Sequence, residues 1–203
     1  MKKLFLVSLF FALMLNCFSQ KDSATWHFIK GLEKRDLKDY QGAIAEYTKS
    51  IEINPKDGQV YISRGQAKAD LQDYRGAILD YDKAIEINPK DEWAYQNRAS
   101  AKDKLHDYAG AFSDFAKAIE ISPTHYDNYL NRALLKGRLQ DYRGEILDYD
   151  KVLELNPKYA DVYYYRGLAK IKIGKKDSGC LDLSKAGELG FTDSYNQIKL
   201  HCN

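Results

Sequence analysis

Asp73-Tyr74-Arg75-Gly76-Ala77-Ile78-Leu79-Asp80-Tyr81-Asp82-Lys83-Ala84-Ile85-Glu86-Ile87-Asn88-Pro89 decides the fold, because the chain writes it four times. Variants run from Asp39 to Pro55, from Asp107 to Pro123 and from Asp141 to Pro157, at a constant spacing of 34 residues. All four prolines of the chain fall in this one register position, so none is left to interrupt a helix. Proline disfavours helical backbone in the residue before it, so each Asn-Pro or Ser-Pro step ends a helix. A fixed period of this length means stacked helix-turn-helix units.

Working outward, the pattern inside the period is small residue against aromatic. Counting repeats from Ala24, Gly58, Glu92, Tyr126 and Ala160, the first helix of each (helix A) carries Tyr61, Tyr95, Tyr129 and Tyr163 near its start. Gly31, Gly65, Ala99, Ala133 and Gly167 follow four residues after that position. The second helix (helix B) carries Ala43, Ala77 and Ala111, then Tyr47, Tyr81, Phe115 and Tyr149. Small residues let helices approach closely, and the aromatics fill the space beside them. Helix A is expected at 24–37, 58–71, 92–105, 126–139 and 160–173. Helix B is expected at 41–53, 75–87, 109–121, 143–155 and 177–189, with the Tyr-X-Gly triplets making the turn between the two.

Across residues 24 to about 191 the sequence resembles the tetratricopeptide-repeat (TPR) family. The resemblance implies an all-α, right-handed α-solenoid of five repeats: 24–57, 58–91, 92–125, 126–159 and a degenerate 160–192. A capping helix over 193–203 would cover the apolar face of the last repeat. His27, Glu145, Lys176 and Phe191 depart from the family pattern. Glu145 stands where helix B elsewhere has alanine, and is expected to prop that helix pair apart or recruit a cation.

The N-terminus reads differently. Met1-Lys2-Lys3 precedes an apolar run from Leu4 to Leu15 broken only by Ser8, followed by Asn16-Cys17-Phe18-Ser19-Gln20. That layout predicts a signal peptide over 1–19, in a run too short to span a bilayer comfortably. Cys17 also stands where a bacterial lipoprotein carries its lipid, so a cleaved form and a lipid-anchored form both stay open. Either form places the protein outside the cytoplasm, in the periplasm or cell envelope. Removing residues 1–19 takes away Lys2 and Lys3 and lowers the formal charge from +2 to 0. A neutral chain with interspersed charges offers no electrostatic case for binding nucleic acid.

Charged residues recur in register: Lys30, Arg64, Arg98, Arg132 and Arg166; then Lys34, Lys68, Lys102, Lys136 and Lys170; then Glu46, Asp80, Asp114, Asp148 and Asp182. Lys49, Lys83, Lys117, Lys151 and Lys185 follow on helix B, and Asp39, Asp73, Asp107 and Asp141 precede it. Catalytic carboxylates do not recur in every repeat, so these columns are read as ion pairs between stacked helices, each contributing about 0–1 kcal/mol if exposed. His27, His106, His125 and His201 lack metal-ligand spacing, and no nucleophile–base or phosphate-loop motif occurs. No enzyme activity, metal or cofactor is expected.

What remains is the concave face that helix A lines in TPR proteins. The resemblance implies as groove residues Gln59, Ile62, Gln66, Trp93, Gln96, Asn97, Ser100, Asp127, Leu130, Asn131, Leu134, Asp161, Tyr164 and Leu168. Family members that clamp a peptide's terminal carboxylate use Lys or Arg at certain of these places, where this chain has Gln96, Leu130 and Leu134. The expected function is a scaffold holding a peptide or helical segment of a protein partner, the alternative a structural, self-associating envelope subunit. Cys180 and Cys202 are the two cysteines left after residue 19. Gly190-Phe191-Thr192 lies midway between them, so antiparallel helices folded there bring both thiols together for a disulfide.

Overall fold

The computed structural model describes residues 23–202; the expected signal peptide and Cys17 lie outside the described residues. Eleven helices and no strand make up that span. It divides into two compact units, the first ending at His106 and the second beginning at Asp107.

Unit 1 holds α1 (23–36), α2 (Tyr40–Ile53), α3 (Gly58–Asp70), α4 (Tyr74–Ile87) and α5 (Glu92–Lys104). Its helices pack in chain order, α2 on α3, α3 on α4 and α4 on α5, and α3 also touches α5. The small–aromatic pattern builds the core. Tyr47 and Tyr81 are wholly buried, with Ala43, Ala77 and Ala84 around them. Gly65 leaves room for Tyr81, because a β-carbon there would lie 2.6 Å from the ring.

Unit 2 holds α6 (Tyr108–Ile121), α7 (Tyr126–Arg138), α8 (Tyr142–Leu155), α9 (Ala160–Lys172), α10 (Lys176–Glu188) and α11 (Ser194–His201). Ala133, Tyr149, Val152, Leu153 and Val162 form its core cluster. The short α11 packs on α10, where Gly187 makes room for Ser194 and Tyr195.

The turn between helices A and B sits one step earlier than the Tyr-X-Gly reading expects. Helix B already starts at the tyrosine, and the chain reverses at the preceding residues. Lys38, Gln72, His106 and Gln140 take left-handed backbone there, with φ of 60 to 63°. The fifth repeat uses Gly174 at φ 81°, the residue that adopts this conformation without steric cost. The aspartates before each tyrosine have a role their column did not reveal. Asp39, Asp73, Asp107 and Asp141 are N-caps, each accepting the N–H of Gly42, Gly76, Gly110 or Gly144 at 2.9–3.0 Å.

Cys180 and Cys202 meet with sulfurs 2.00 Å apart and Cα atoms 5.9 Å apart, at a sequence separation of 22. Closing a loop of that size stabilises by about 3 kcal/mol on the chain-entropy model. Unreduced protein is therefore expected to show no free thiol from this pair after denaturation, and reduction to lower the melting temperature. Two reactive thiols in unreduced, denatured protein would exclude the bond.

Candidate functional site

Buried ion pairs fix the helix-A faces. In unit 1, Arg64 grips Asp80 with Nε at 3.0 Å and Nη2 at 2.6 Å, and Lys68 adds a 2.7 Å contact. Arg64 Nη1 also donates to Thr48, and Arg98 reaches back to Asp82 at 2.6 Å. In unit 2, Arg132 and Lys136 share Asp148, and Arg166 and Lys170 share Asp182. Arg166 reaches Asp150 of the preceding helix B as well. The Asp148 hydrogen bond holds the Arg132 guanidinium above its ordinary pKa. The aspartates are buried, with side-chain exposures of 4, 5 and 8% for Asp80, Asp148 and Asp182. In each cluster one buried carboxylate holds two cations, so these charges are engaged between helices. Arg64 ties α3 to both α2 and α4, and Arg166 ties α9 to both α8 and α10.

The first repeat replaces this device. His27 meets Glu46 at 2.6 Å, and Lys49 adds a 2.8 Å contact to the same carboxylate. Lys49 and then His27 hold Glu46 below its ordinary pKa.

Unit 1 has a cleft of about 460 Å³ along helices α1, α3 and α5. Gln66, Asn97 and Ser100, expected from the resemblance, line it together with Arg35, Ala69, Asp70, Tyr74, Tyr81, Ala101 and Lys104. Two other expected residues turn inward. Ile62 is 2% exposed and belongs to the core with Ala77 and Tyr81, and Gln96 is 8% exposed. Both alternate with outward residues on the helical turn, and their rotation puts them between helices. Gln59 and the half-exposed Trp93 remain on the surface.

The corresponding helices of unit 2 present a less polar face. Leu134 is 39% exposed, while Leu130, Asn131 and Leu168 are partly buried. Tyr164 packs on Phe191 at 4.6 Å between ring centroids and edge-on to Tyr165 at 5.3 Å. Burial, with some help from Asp193, raises the Tyr164 phenol above its ordinary pKa. Asp127 pairs with His125 at 3.2 Å, and Asp161 is exposed. Phe191 is the addition here: it stands where earlier repeats have proline and stacks on a groove tyrosine. No group of three or more His, Cys, Asp or Glu among the described residues could hold a metal ion. Nor is any described helix long and apolar enough to cross a membrane.

Repeated helix pairs locked by a recurring ion pair, with helix-A faces left open, define an α-solenoid repeat scaffold. The chain belongs to the tetratricopeptide-repeat family. The tetratricopeptide-repeat model matches residues 27–57, 94–125 and 126–159, and a second TPR repeat model matches 65–105. No curated protein matches the sequence. Among solved structures, the MamA protein is 22% identical, with TM-score 0.75 over 86% of this chain and 95% of that one. YrrB, described as a TPR protein with an unusual peptide-binding site, is 16% identical, with TM-score 0.72 over 93% and 98%. The first TPR of Spaghetti (RPAP3), solved bound to the HSP90 peptide SRMEEVD, is 23% identical, with TM-score 0.57 over 59% and 94%. These likenesses are likenesses of fold. Domains of this family bind protein or peptide partners, and their repeats are interaction modules.

Proposed function

We propose that this protein is a non-enzymatic scaffold that holds an extended or helical segment of a partner protein against its helix-A faces. The observation that carries the reading is the unit 1 cleft, whose walls offer polar groups of three successive helix-A segments. The peptide-bound TPR of Spaghetti and the peptide-binding site described for YrrB support it by analogy. The basic start and short apolar run at the N-terminus support export to the periplasm or cell envelope, as a cleaved or lipid-anchored form. Mature protein isolated from its native source is expected to lack residues 1–19, and a retained Met1 would overturn that part of the reading.

A photoreactive side chain placed at Ser100 or Leu134 is expected to crosslink a discrete partner in native envelopes. The same group at Leu79, which is 66% exposed on helix B, serves as the control. Equal crosslinking from all three positions would remove the helix-A face as the binding surface. A second reading, a self-associating envelope subunit, is favoured by Leu147 and Leu181, exposed by 66 and 72% at the same register position of α8 and α10. Light scattering separates the two: a monomer at micromolar concentration excludes self-association through these leucines.

A further inference from the structure

Arg35, Asp70 and Lys104 come from the last turns of α1, α3 and α5, and all three line the cleft of unit 1. In chain order they read cation, anion, cation. They differ from the ladder charges in one respect. Arg64 and Lys68 have Asp80 between them, whereas the cleft charges are largely uncompensated. Among the described residues Asp70 and Lys104 take part in no hydrogen bond or ion pair. Arg35 is held in place by Gln66, its Nη1 donating to Oε1 at 3.2 Å. Among the described residues its one ion pair is with Asp36, 4.0 Å away and itself 76% exposed.

The walls between these charges have spare acceptors. Asn97 donates through Nδ2 to the Trp93 carbonyl at 2.8 Å, which leaves its Oδ1 open. Ser100 donates to the Gln96 carbonyl at 3.0 Å, which leaves its oxygen lone pairs open. Acceptors at that place suit the backbone N–H groups of an extended segment.

We propose that the cleft selects an internal, extended segment of a partner protein carrying two acidic side chains about six residues apart and a basic side chain between them. The proposal rests on the reading of the helix-A faces as a peptide groove and specifies its occupant. The spacing follows from packing: neighbouring helix axes lie about 8–10 Å apart, so α1 and α5 are separated by about 16–20 Å. An extended chain rising about 3.3 Å per residue covers that in about five or six residues. A free C-terminal carboxylate is the poorer match, because it brings its anionic group to one end while both separated cations lack one. A nucleic-acid strand is poorer still, since Asp70 would face its phosphates.

The probe is a seven-residue peptide with acetyl and amide ends, glutamates at positions one and seven, a lysine at position five so that all three charges share one face of the extended chain, and valine and threonine spacers. Titrated into isotope-labelled protein, it is expected to shift the Asn97 and Ser100 amides and to bind at least tenfold tighter than its all-glutamine counterpart. The double change Arg35→Gln, Lys104→Gln is expected to erase that preference without moving the melting temperature. Asp70→Asn is expected to erase only the preference for lysine over glutamine at position five. Equal binding of the glutamine peptide, tighter binding of a charge-reversed peptide, or a requirement for a free C-terminus overturns the proposed occupant and leaves the groove standing. If no peptide of either kind shifts Asn97 and Ser100, the groove reading falls with it.

Discussion

Asp148→Ala is expected to destabilise the protein by about 3–5 kcal/mol, the range for removing one partner of a buried ion pair. Asp148 is 5% exposed and accepts from Arg132 Nε at 2.9 Å, Arg132 Nη2 at 2.7 Å and Lys136 Nζ at 2.7 Å. Without it, two cations with side-chain exposures of 21 and 17% face each other with no carboxylate between them. Their Coulomb repulsion and lost solvation both act on the folded state. The sequence reading assigned about 0–1 kcal/mol to such pairs on the assumption that they are exposed, and burial overturns the assumption. Asp148→Asn keeps one acceptor oxygen and is expected to fall in between. The Lys151–Glu154 pair, close at 2.6 Å but 52 and 64% exposed, is the control: Glu154→Ala is expected to leave the melting temperature unchanged. Chemical denaturation of the three variants is the measurement. A loss under about 1 kcal/mol for Asp148→Ala would show that the two cations find other partners, or water, at no cost.

The ladder could be read from the sequence because Arg64–Asp80, Arg132–Asp148 and Arg166–Asp182 keep one offset within the repeat, and repetition exposes an offset. The N-cap role of Asp73 and its equivalents was hidden, since a column shows recurrence without showing geometry. The cleft was legible only in part. Gln66, Asn97 and Ser100 sit at groove positions of the family, but Ile62 and Gln96 do too, and in this fold those two are buried. Arg35, Asp70 and Lys104 escaped the column reading: Asp70 and Lys104 share a position that runs Asp36, Asp70, Lys104, Arg138, Lys172, and Arg35 stands where later repeats have Ala69, Asp103, Gly137 and Ile171. A position whose residue type varies while its neighbours are copied is not part of the copied structure, and that variation was the available signal.

Glu145→Gln is expected to stabilise the protein by about 3 kcal/mol at pH 8 and to have no effect at pH 4. Glu145 takes the helix-B place held elsewhere by Ala43, Ala77 and Ala111, and it is 8% exposed. The facing helix α7 makes room for its carboxyl. Gly137 stands across from it where the second repeat has Ala69, and a β-carbon on Gly137 would lie 2.6 Å from Glu145 Oε1. The fifth repeat makes the opposite exchange, with Ile171 against Gly179. Burial pushes the Glu145 carboxyl from 4.5 up to about 7; Asp141 adds to this, and the Tyr149 hydroxyl, close by without a well-formed hydrogen bond, offsets part of it. The sign follows. Between these two values the folded chain keeps a proton that the unfolded chain has released, so stability falls as pH rises from about 4.5 and levels off above about 7. That gap corresponds to about 3 kcal/mol, the amount that a neutral glutamine of the same shape is expected to recover. At pH 4, where Glu145 is protonated and carries no ionisation penalty, Gly137→Ala alone is expected to destabilise by overpacking, about 1–3 kcal/mol, and Glu145→Ala alone by leaving a cavity. Together they recreate the Ala69–Ala77 pair of the second repeat and are expected to be close to neutral. Unfolding measured from pH 4 to pH 8 decides it: a Gln variant that tracks the wild type at every pH would mean that Glu145 ionises in the fold without penalty.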